Sequence, residues 1–156
     1  MSRFALRFTL PLLAIAFAAG AAQAQTRTIK NASVQFITGD DGKDDTDVLT
    51  ITVSNGAGKF LERVFDAKQE IKPGTTFNLW LNKVRAEAPE AVKDGKIVFR
   101  IAPQGDDHWV IKDAQLTVNY DSGPADKWHW GPFTMETKAS KPFDAEFKLS
   151  DDHRVK

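Results

Sequence analysis

The sequence has 156 residues, 42% of them hydrophobic, and its 21 basic and 21 acidic residues give a formal net charge of zero. It contains no cysteine, which excludes a disulfide framework, a thiolate zinc site and a cysteine nucleophile. A balanced charge disfavours a nucleic-acid partner, because nucleic-acid-binding proteins carry a basic surface that neutralises phosphates.

Residues 1–24 have the pattern of a secretory signal peptide. Arg3 and Arg7 form a positive start, residues 8–19 are mostly apolar, and an Ala-Gln-Ala motif at residues 22–24 suits cleavage. The apolar run is too short to span a bilayer. We therefore expect a cleaved signal peptide and one mature domain over residues 25–156, with a net charge near −2 and no transmembrane segment. The product is expected to be soluble, in the periplasm or secreted.

The mature chain alternates apolar and polar residues in short runs, which is typical of β-strands. Strands are predicted at residues 28–38, 48–54, 59–66, 75–81, 96–102, 108–120, 127–135 and 143–149. Asn31 interrupts the first run as a β-bulge would, and the run at residues 108–120 is one bent strand or two short ones. Pro89 lies within residues 82–95, where a short helical turn or an irregular crossover is expected. The pattern predicts an all-β fold with little helix, an antiparallel eight-stranded β-sandwich.

The loop at residues 39–47 holds five aspartates among nine residues, more than any other stretch. In an antiparallel sandwich the loops after alternate strands share one end, so this loop should approach residues 103–107. Carboxylates from several loops are the ligands that Ca²⁺ takes, typically about six to eight oxygens. The predicted calcium ligands are Asp40, Asp41, Asp44, Asp45, Asp47, Asp106 and Asp107. The alternative is a solvated acidic loop that binds no metal tightly.

Several motifs follow one another in a recognisable order: Val-Gln-Phe-Ile-Thr-Gly-Asp at residues 34–40, Thr-Asp-Val at 46–48 and Asp-His-Trp-Val-Ile at 107–111. Over about two thirds of the mature chain this order resembles the PLAT/LH2 family of PLAT/C2-like β-sandwich domains. The resemblance implies a non-catalytic module that docks on lipid, membrane or protein surfaces, often with calcium. It carries the calcium role onto Asp40 and Asp47, and it departs at Asp45, where the family usually has glycine.

Trp128 and Trp130 project from the same face of their predicted strand. If that face is outward, they form an aromatic platform for stacking on a sugar or inserting at a membrane interface; if it is inward, they are core. Trp80 lies opposite Phe77 and Leu79 on its strand and is expected to be about half exposed. All three are therefore candidate binding-surface residues.

A turn at residues 121–124, Asp-Ser-Gly-Pro, presents Ser122 and Gly123 and is a second kind of candidate. An exposed turn of this type enters a partner's cleft in proteins of the enzyme-inhibitor type. The sequence has no Gly-x-Ser-x-Gly motif or equivalent nucleophile with an oriented base, so we predict a non-enzymatic protein. The predicted function is an exported binding module whose partner is a protein, lipid or carbohydrate surface; the alternative is a periplasmic inhibitor, and a small hydrolase is the third class.

Overall fold

The computed structural model describes residues 27–44, 46–65, 70–102, 108–136, 141–150 and 153–155. The predicted signal peptide lies outside these residues. The described residues form nine strands and one short helix. These are β1 (Ile29–Thr38), β2 (Val48–Asn55), β3 (Gly58–Phe65), β4 (Thr76–Lys83), α1 (Pro89–Lys93), β5 (Lys96–Ala102), β6 (His108–Tyr120), β7 (Asp126–Trp130), β8 (Phe133–Glu136) and β9 (Phe143–Lys148). The predicted all-β antiparallel fold is confirmed.

The strands form one continuous sheet of order β7-β6-β1-β4-β3-β2-β5-β9, with β8 paired to β6, and all ladders between neighbours are antiparallel. The sheet folds over the core, so that β1 and β7 contact β5 and β9 through their aromatic side chains. We call its two halves, β7-β6-β1-β4 and β3-β2-β5-β9, layers. The layers are joined where β3 pairs with β4 over only two residue pairs, Leu61 with Lys83 and Glu62 with Asn82. β1 lies in the middle of its layer, between β4 and β6, and its register shifts next to Asn31, as the predicted bulge requires.

The sequence predicts eight strands where the structure has nine, because residues 127–135 form two strands instead of one. β7 pairs with residues 114–118 of β6 and β8 with residues 108–111, so the two follow the same neighbour in succession. Gly131 and Pro132 separate them. Pro132 has no N–H to give to a ladder. A Cβ at Gly131 would lie 2.6 Å from the Lys112 carbonyl oxygen, so only glycine fits this close approach.

Aromatic side chains from both layers fill the core. Phe36 of β1 contacts Phe99 of β5 with ring centroids 5.5 Å apart, and Phe99 also contacts Trp130 and Phe133. Phe133 of β8 meets Phe147 of β9 at 4.9 Å, so the ends of the two layers approach each other. Each aromatic pair of this kind stabilises a protein by about 0.5–1.5 kcal/mol beyond the contribution from burying its apolar surface.

The helix α1 begins at Pro89 itself. Proline suits the first helical position, because the N–H that it lacks would have had no partner within the helix. Val92 is the helix's fully buried side chain, whereas Val84 is exposed and precedes the helix. The expected short helical turn is confirmed, and Pro89 opens it instead of interrupting it.

Tyr120, at the end of β6, belongs to a buried polar cluster with Asp126 and Arg154. The Tyr120 hydroxyl donates a hydrogen bond to Asp126 Oδ2 at 2.9 Å, and Arg154 Nη2 pairs with Asp126 Oδ1. Asp126 is buried. Burial of the phenol, followed by its hydrogen bond to the Asp126 carboxylate, raises the pKa of Tyr120 well above its ordinary value of 10.0.

We therefore predict that Tyr120 lowers stability as pH rises above about 10, because the unfolded state then loses a proton that the folded state keeps. Tyr120 is the chain's single tyrosine, so tyrosinate absorbance reports on it alone. Absorbance should rise together with the loss of near-ultraviolet circular dichroism during an alkaline titration. A tyrosinate transition near pH 10 in the still-folded protein would contradict the prediction. Tyr120→Phe should remove this contribution.

Candidate functional site

The acidic loop after β1 lies at the end of the molecule that topology predicts. Gly39 N–H donates to the Val110 carbonyl oxygen at 2.7 Å, and Val110 N–H donates to the Asp41 carbonyl oxygen at 3.3 Å, which ties the loop to the start of β6. β2 leaves the loop at Val48, which pairs with Ala102 at the end of β5. The loop therefore meets the start of β6, and β2 joins it to the end of β5; residues 103–107, which the sequence places beside it, lie outside the described residues.

The described carboxylates of the loop do not converge. Asp40, Asp41 and Asp44 are exposed, and Asp41 Oδ2 lies 3.2 Å from His108 Nδ1. Asp47 is only 2% exposed, and its Oδ2 has no hydrogen-bond partner among the described residues. Within the described part of the chain, no three His, Cys, Asp or Glu residues are grouped so as to hold a metal ion. The predicted ligands Asp45, Asp106 and Asp107 lie outside it.

Lys43, at the centre of the acidic loop, is fully buried. Its ammonium donates to the Asp44 carbonyl oxygen and lies 5.9 Å from the Phe65 ring centroid. Its backbone bonds in both directions to Ile71, at 3.0 and 2.9 Å. A cation inside a loop of carboxylates offsets their mutual repulsion, so the loop carries its own counter-charge. Sequence reasoning missed this residue because lysine is rarely buried.

The calcium hypothesis stays a prediction that a thermal melt tests. Asp47 fits the role of a ligand, since its buried Oδ2 has no hydrogen-bond partner among the residues that the structure describes. Calcium should raise the melting temperature and a chelator should lower it, with a gain of about 2.7 kcal/mol at a hundredfold excess over Kd. Asp47→Asn should abolish the shift, and Asp94→Asn, at the end of α1, should keep it. Identical melts with calcium and with chelator would contradict the hypothesis and leave Lys43 as the loop's cation.

Trp128 and Trp130 lie in the core and form no exposed platform. Trp128 is fully buried and Trp130 is 3% exposed. The prediction that they belong to a binding surface is therefore wrong. They do share a face of β7, as predicted, but that face points between the layers, where Trp130 meets Phe99 and Phe147. The exposed residues of β7 are Lys127 and His129.

The turn at residues 121–124 is exposed, and hydrogen bonds from Arg27 stabilise it. The Arg27 guanidinium donates to the carbonyl oxygens of Ser122 and Pro124, at 2.7 and 2.6 Å. Asp121 accepts hydrogen bonds from the backbone N–H and the hydroxyl of Thr28, and these bonds, the backbone one foremost, lower the pKa of its carboxyl group. Gly123 has φ +75°, a conformation that glycine adopts without strain. The predicted turn is therefore present and firmly braced.

The outer face of the β6-β1-β4 layer is a nearly neutral polar surface around Trp80, which is 64% exposed. We call it the amide face and define it by twelve outward residues: Asn31, Ser33, Gln35, Ile37, Thr76, Asn78, Trp80, Asn82, Asp113, Gln115, Thr117 and Asn119. Nine of the twelve are amides or hydroxyls, and Asp113 is the charged member, paired with His129.

The amides of this face are arranged in rows across the strands. Ser33 lies between Trp80 and Thr117, and Gln35 lies between Asn78 and Gln115. Gln35 Nε2 donates to Asn78 Oδ1 at 3.1 Å. At one end, Asn119 Nδ2 donates to Asn31 Oδ1 at 2.8 Å. These bonds fix the orientation of the amide groups and leave further donors and acceptors free toward solvent.

The distribution of amides along the chain is uneven. Of the seven asparagines and glutamines that the structure describes, six lie on the amide face, and the seventh, Asn55, braces the β2–β3 hairpin. The spacing i, i+2 within each strand carries this information in the sequence, at 31/33/35, 78/80/82 and 115/117/119. Sequence reasoning singled out Trp80 alone because each strand was considered without its neighbours.

The outer face of the opposite layer is charged and self-paired. Lys96 bonds to Glu146 at 2.7 Å and Arg100 to Asp144 at 2.9 Å, between β5 and β9. Exposed pairs of this kind contribute little stability, about 0–1 kcal/mol each, but they keep a surface soluble. The two outer faces of the molecule thus have different chemistry.

Comparison with protein-family models finds none that matches this chain, and no curated protein matches it. The resemblance to the PLAT/LH2 family therefore stays a prediction. Within the described ranges, no helix has the length and apolar character needed to cross a bilayer.

Proposed function

We propose that this chain is a non-catalytic binding module, PLAT-like in architecture, that is exported and docks on a macromolecular surface through its amide face. The observation that carries the proposal is the difference between the two outer faces. On the outer face of the β3-β2-β5-β9 layer, charged side chains form ion pairs with each other. The amide face instead presents ordered, uncharged hydrogen-bonding groups around an exposed tryptophan. Aromatic side chains surrounded by polar groups are typical of binding hot spots.

Geometry supports this face as a docking surface. Its strands are held in register by two ladders, β1 with β4 and β1 with β6, so the side chains stand on a rigid platform. Adjacent strands lie about 4.8 Å apart, and side chains on one face repeat about every 6.7 Å along a strand. A partner with repeating polar groups can therefore be met at several points without loop rearrangement, which lowers the entropic cost of binding.

Retention experiments test the proposal. The purified protein is incubated with three immobilised classes of surface: neutral polysaccharide, anionic lipid vesicles and a periplasmic protein extract. We expect retention by one class and at least about a tenfold loss of affinity in Trp80→Ala, the size of a hot-spot deletion. Val98→Ala is the control, since Val98 lies on β5 between Thr52 and Glu146, and β5 is separated from β4 by β3 and β2. Retention by no class, or equal losses in both variants, would contradict the proposal.

A second candidate is an inhibitor of the protein-binding type that acts through the turn at residues 121–124. Its support is the Arg27 brace, because a turn held rigid in the free protein binds a cleft at lower entropic cost. This function predicts that the immobilised protein retains a partner enzyme from a periplasmic extract and inhibits it.

Gly123→Ala separates this candidate from the first. A Cβ at Gly123 would lie 3.0 Å from Arg27 Cζ and would strain a left-handed backbone, so the turn must shift and inhibition should fall. Gly56→Ala is the control, because a Cβ there meets no atom within 4 Å. An inhibitor whose strength is unchanged by Gly123→Ala does not use this turn.

A further inference from the structure

We infer that the ligand of the amide face is an uncharged polysaccharide whose sugar rings stack on Trp80 and whose hydroxyls bond to the surrounding amides. The inference rests on the proposed function and names the chemistry of the surface that the module binds. It follows from the composition of the face, its electrostatics and the state of its side chains.

The side chains of the amide face have the hydrogen-bonding groups that sugars require. A sugar hydroxyl both donates and accepts hydrogen bonds, and the amides of Asn and Gln offer both kinds of group in one planar unit. The face presents six such amides and three hydroxyls, from Ser33, Thr76 and Thr117. The apolar C–H face of a pyranose ring is complementary to the exposed indole of Trp80, which has the wide, rigid surface that stacking requires.

The charge of the amide face favours an uncharged ligand. Between residues 31–37 of β1, 76–82 of β4 and 113–119 of β6, the outward side chains include no lysine or arginine, and the acidic member, Asp113, is paired with His129. An anionic membrane or an acidic polymer is attracted by clustered basic residues. The centre of this face has none; Lys127 of β7, beside Thr117, and Glu62 of β3, beside Asn82, lie at its edges. An uncharged polymer can bind there without desolvating a lysine or an arginine, and its hydroxyls can replace the water that is displaced from the amides.

The amide side chains of this face are already oriented in the free protein. Gln35 bonds to Asn78 and Asn119 bonds to Asn31, so four of the six amides already have fixed orientations. Trp80 and Asn78 project from the same side of β4, and Ser33 and Gln35 lie beside them on β1. A stacking group and fixed bonding groups therefore stand side by side on one flat sheet, where an extended chain of sugars can contact both.

Native affinity electrophoresis tests this inference. The protein is run through gels containing hydroxyethylcellulose, galactomannan or dextran, with the polyanion alginate in a parallel gel. We expect one or more of the neutral polymers to retard the protein while alginate does not. Trp80→Ala should weaken binding by about tenfold or more, Trp80→Tyr should restore part of it, and Gln35→Ala should weaken it by about two- to tenfold.

Variants on the opposite layer provide matched controls. Val98→Ala, on β5, and Thr52→Ala, on β2, should migrate like the wild type in every gel, since neither strand borders β4. No retardation in any neutral gel overturns the inference, as does retardation that Trp80→Ala leaves unchanged. If vesicles or a protein fraction retain the wild type but not Trp80→Ala while the neutral gels have no effect, the glycan is wrong and the docking function stands.

Discussion

Replacing Trp128 by alanine is expected to reduce the free energy of unfolding by about 3–5 kcal/mol, the range for deleting a buried aromatic side chain. Trp128 is fully buried on β7 and pairs with Leu116 of β6. Its other neighbour is the C-terminal segment, where it forms an isolated bridge with Arg154. Deletion would open a cavity beneath a strand whose backbone is held by its ladder with β6, so little relaxation is available.

Chemical denaturation measures the effect, with Trp80→Ala as the comparison. Trp80 is the exposed tryptophan among those described, so its loss should change stability by less than about 1 kcal/mol. Trp128→Phe should fall between the two, because the ring is kept and only part of the volume is lost. Equal effects at positions 80 and 128 would show that Trp128 is on the surface.

Replacing Asp126 by alanine is expected to cost about 2–4 kcal/mol, because it removes the shared acceptor of a buried polar cluster. The Tyr120 hydroxyl, itself buried, would lose its acceptor, and the Arg154 guanidinium would lose a carboxylate partner. Because Arg154 is about one third exposed, water partly replaces the hydrogen bond that its guanidinium loses. The loss of stability should therefore be smaller than for a fully buried ion pair.

A double-mutant cycle isolates these contributions. Tyr120→Phe and Arg154→Met each remove one partner and should cost less than Asp126→Ala, about 1 kcal/mol for the phenol hydroxyl. When either is combined with Asp126→Ala, the losses should be less than additive, since the acceptor is already gone. Strict additivity would mean that the three residues act independently.

Strand positions were the part of the fold most accessible from sequence. Along β2, alternation places Leu49, Ile51 and Val53 inward and the threonines between them outward, and the structure agrees. The break between β7 and β8 was harder, since Trp128 and Phe133 read as one apolar run. Its cause is the close approach of Gly131 to the β6 backbone, a contact between residues distant in sequence.

The candidate sites depended more on tertiary structure. Antiparallel order was enough to bring the acidic loop beside the start of β6, but the burial of Lys43 and Asp47 depends on how that loop packs. For Trp128 and Trp130, periodicity showed that they share a face but not which layer covers it. The amide face needed the register of three strands, which pairs Gln35 with both Asn78 and Gln115.

The position of β1 has a consequence for how the chain folds. β1, the first of the described strands, lies between two strands that follow much later in the chain, with Ala32 opposite Leu81 on one side and Val118 on the other. Closing loops of that length is entropically costly, and proteins dominated by such pairings fold in milliseconds to seconds. Even after β4 has paired with β1, the other side of β1 stays unpaired until β6 joins the sheet, and an unpaired strand edge can pair with another chain instead.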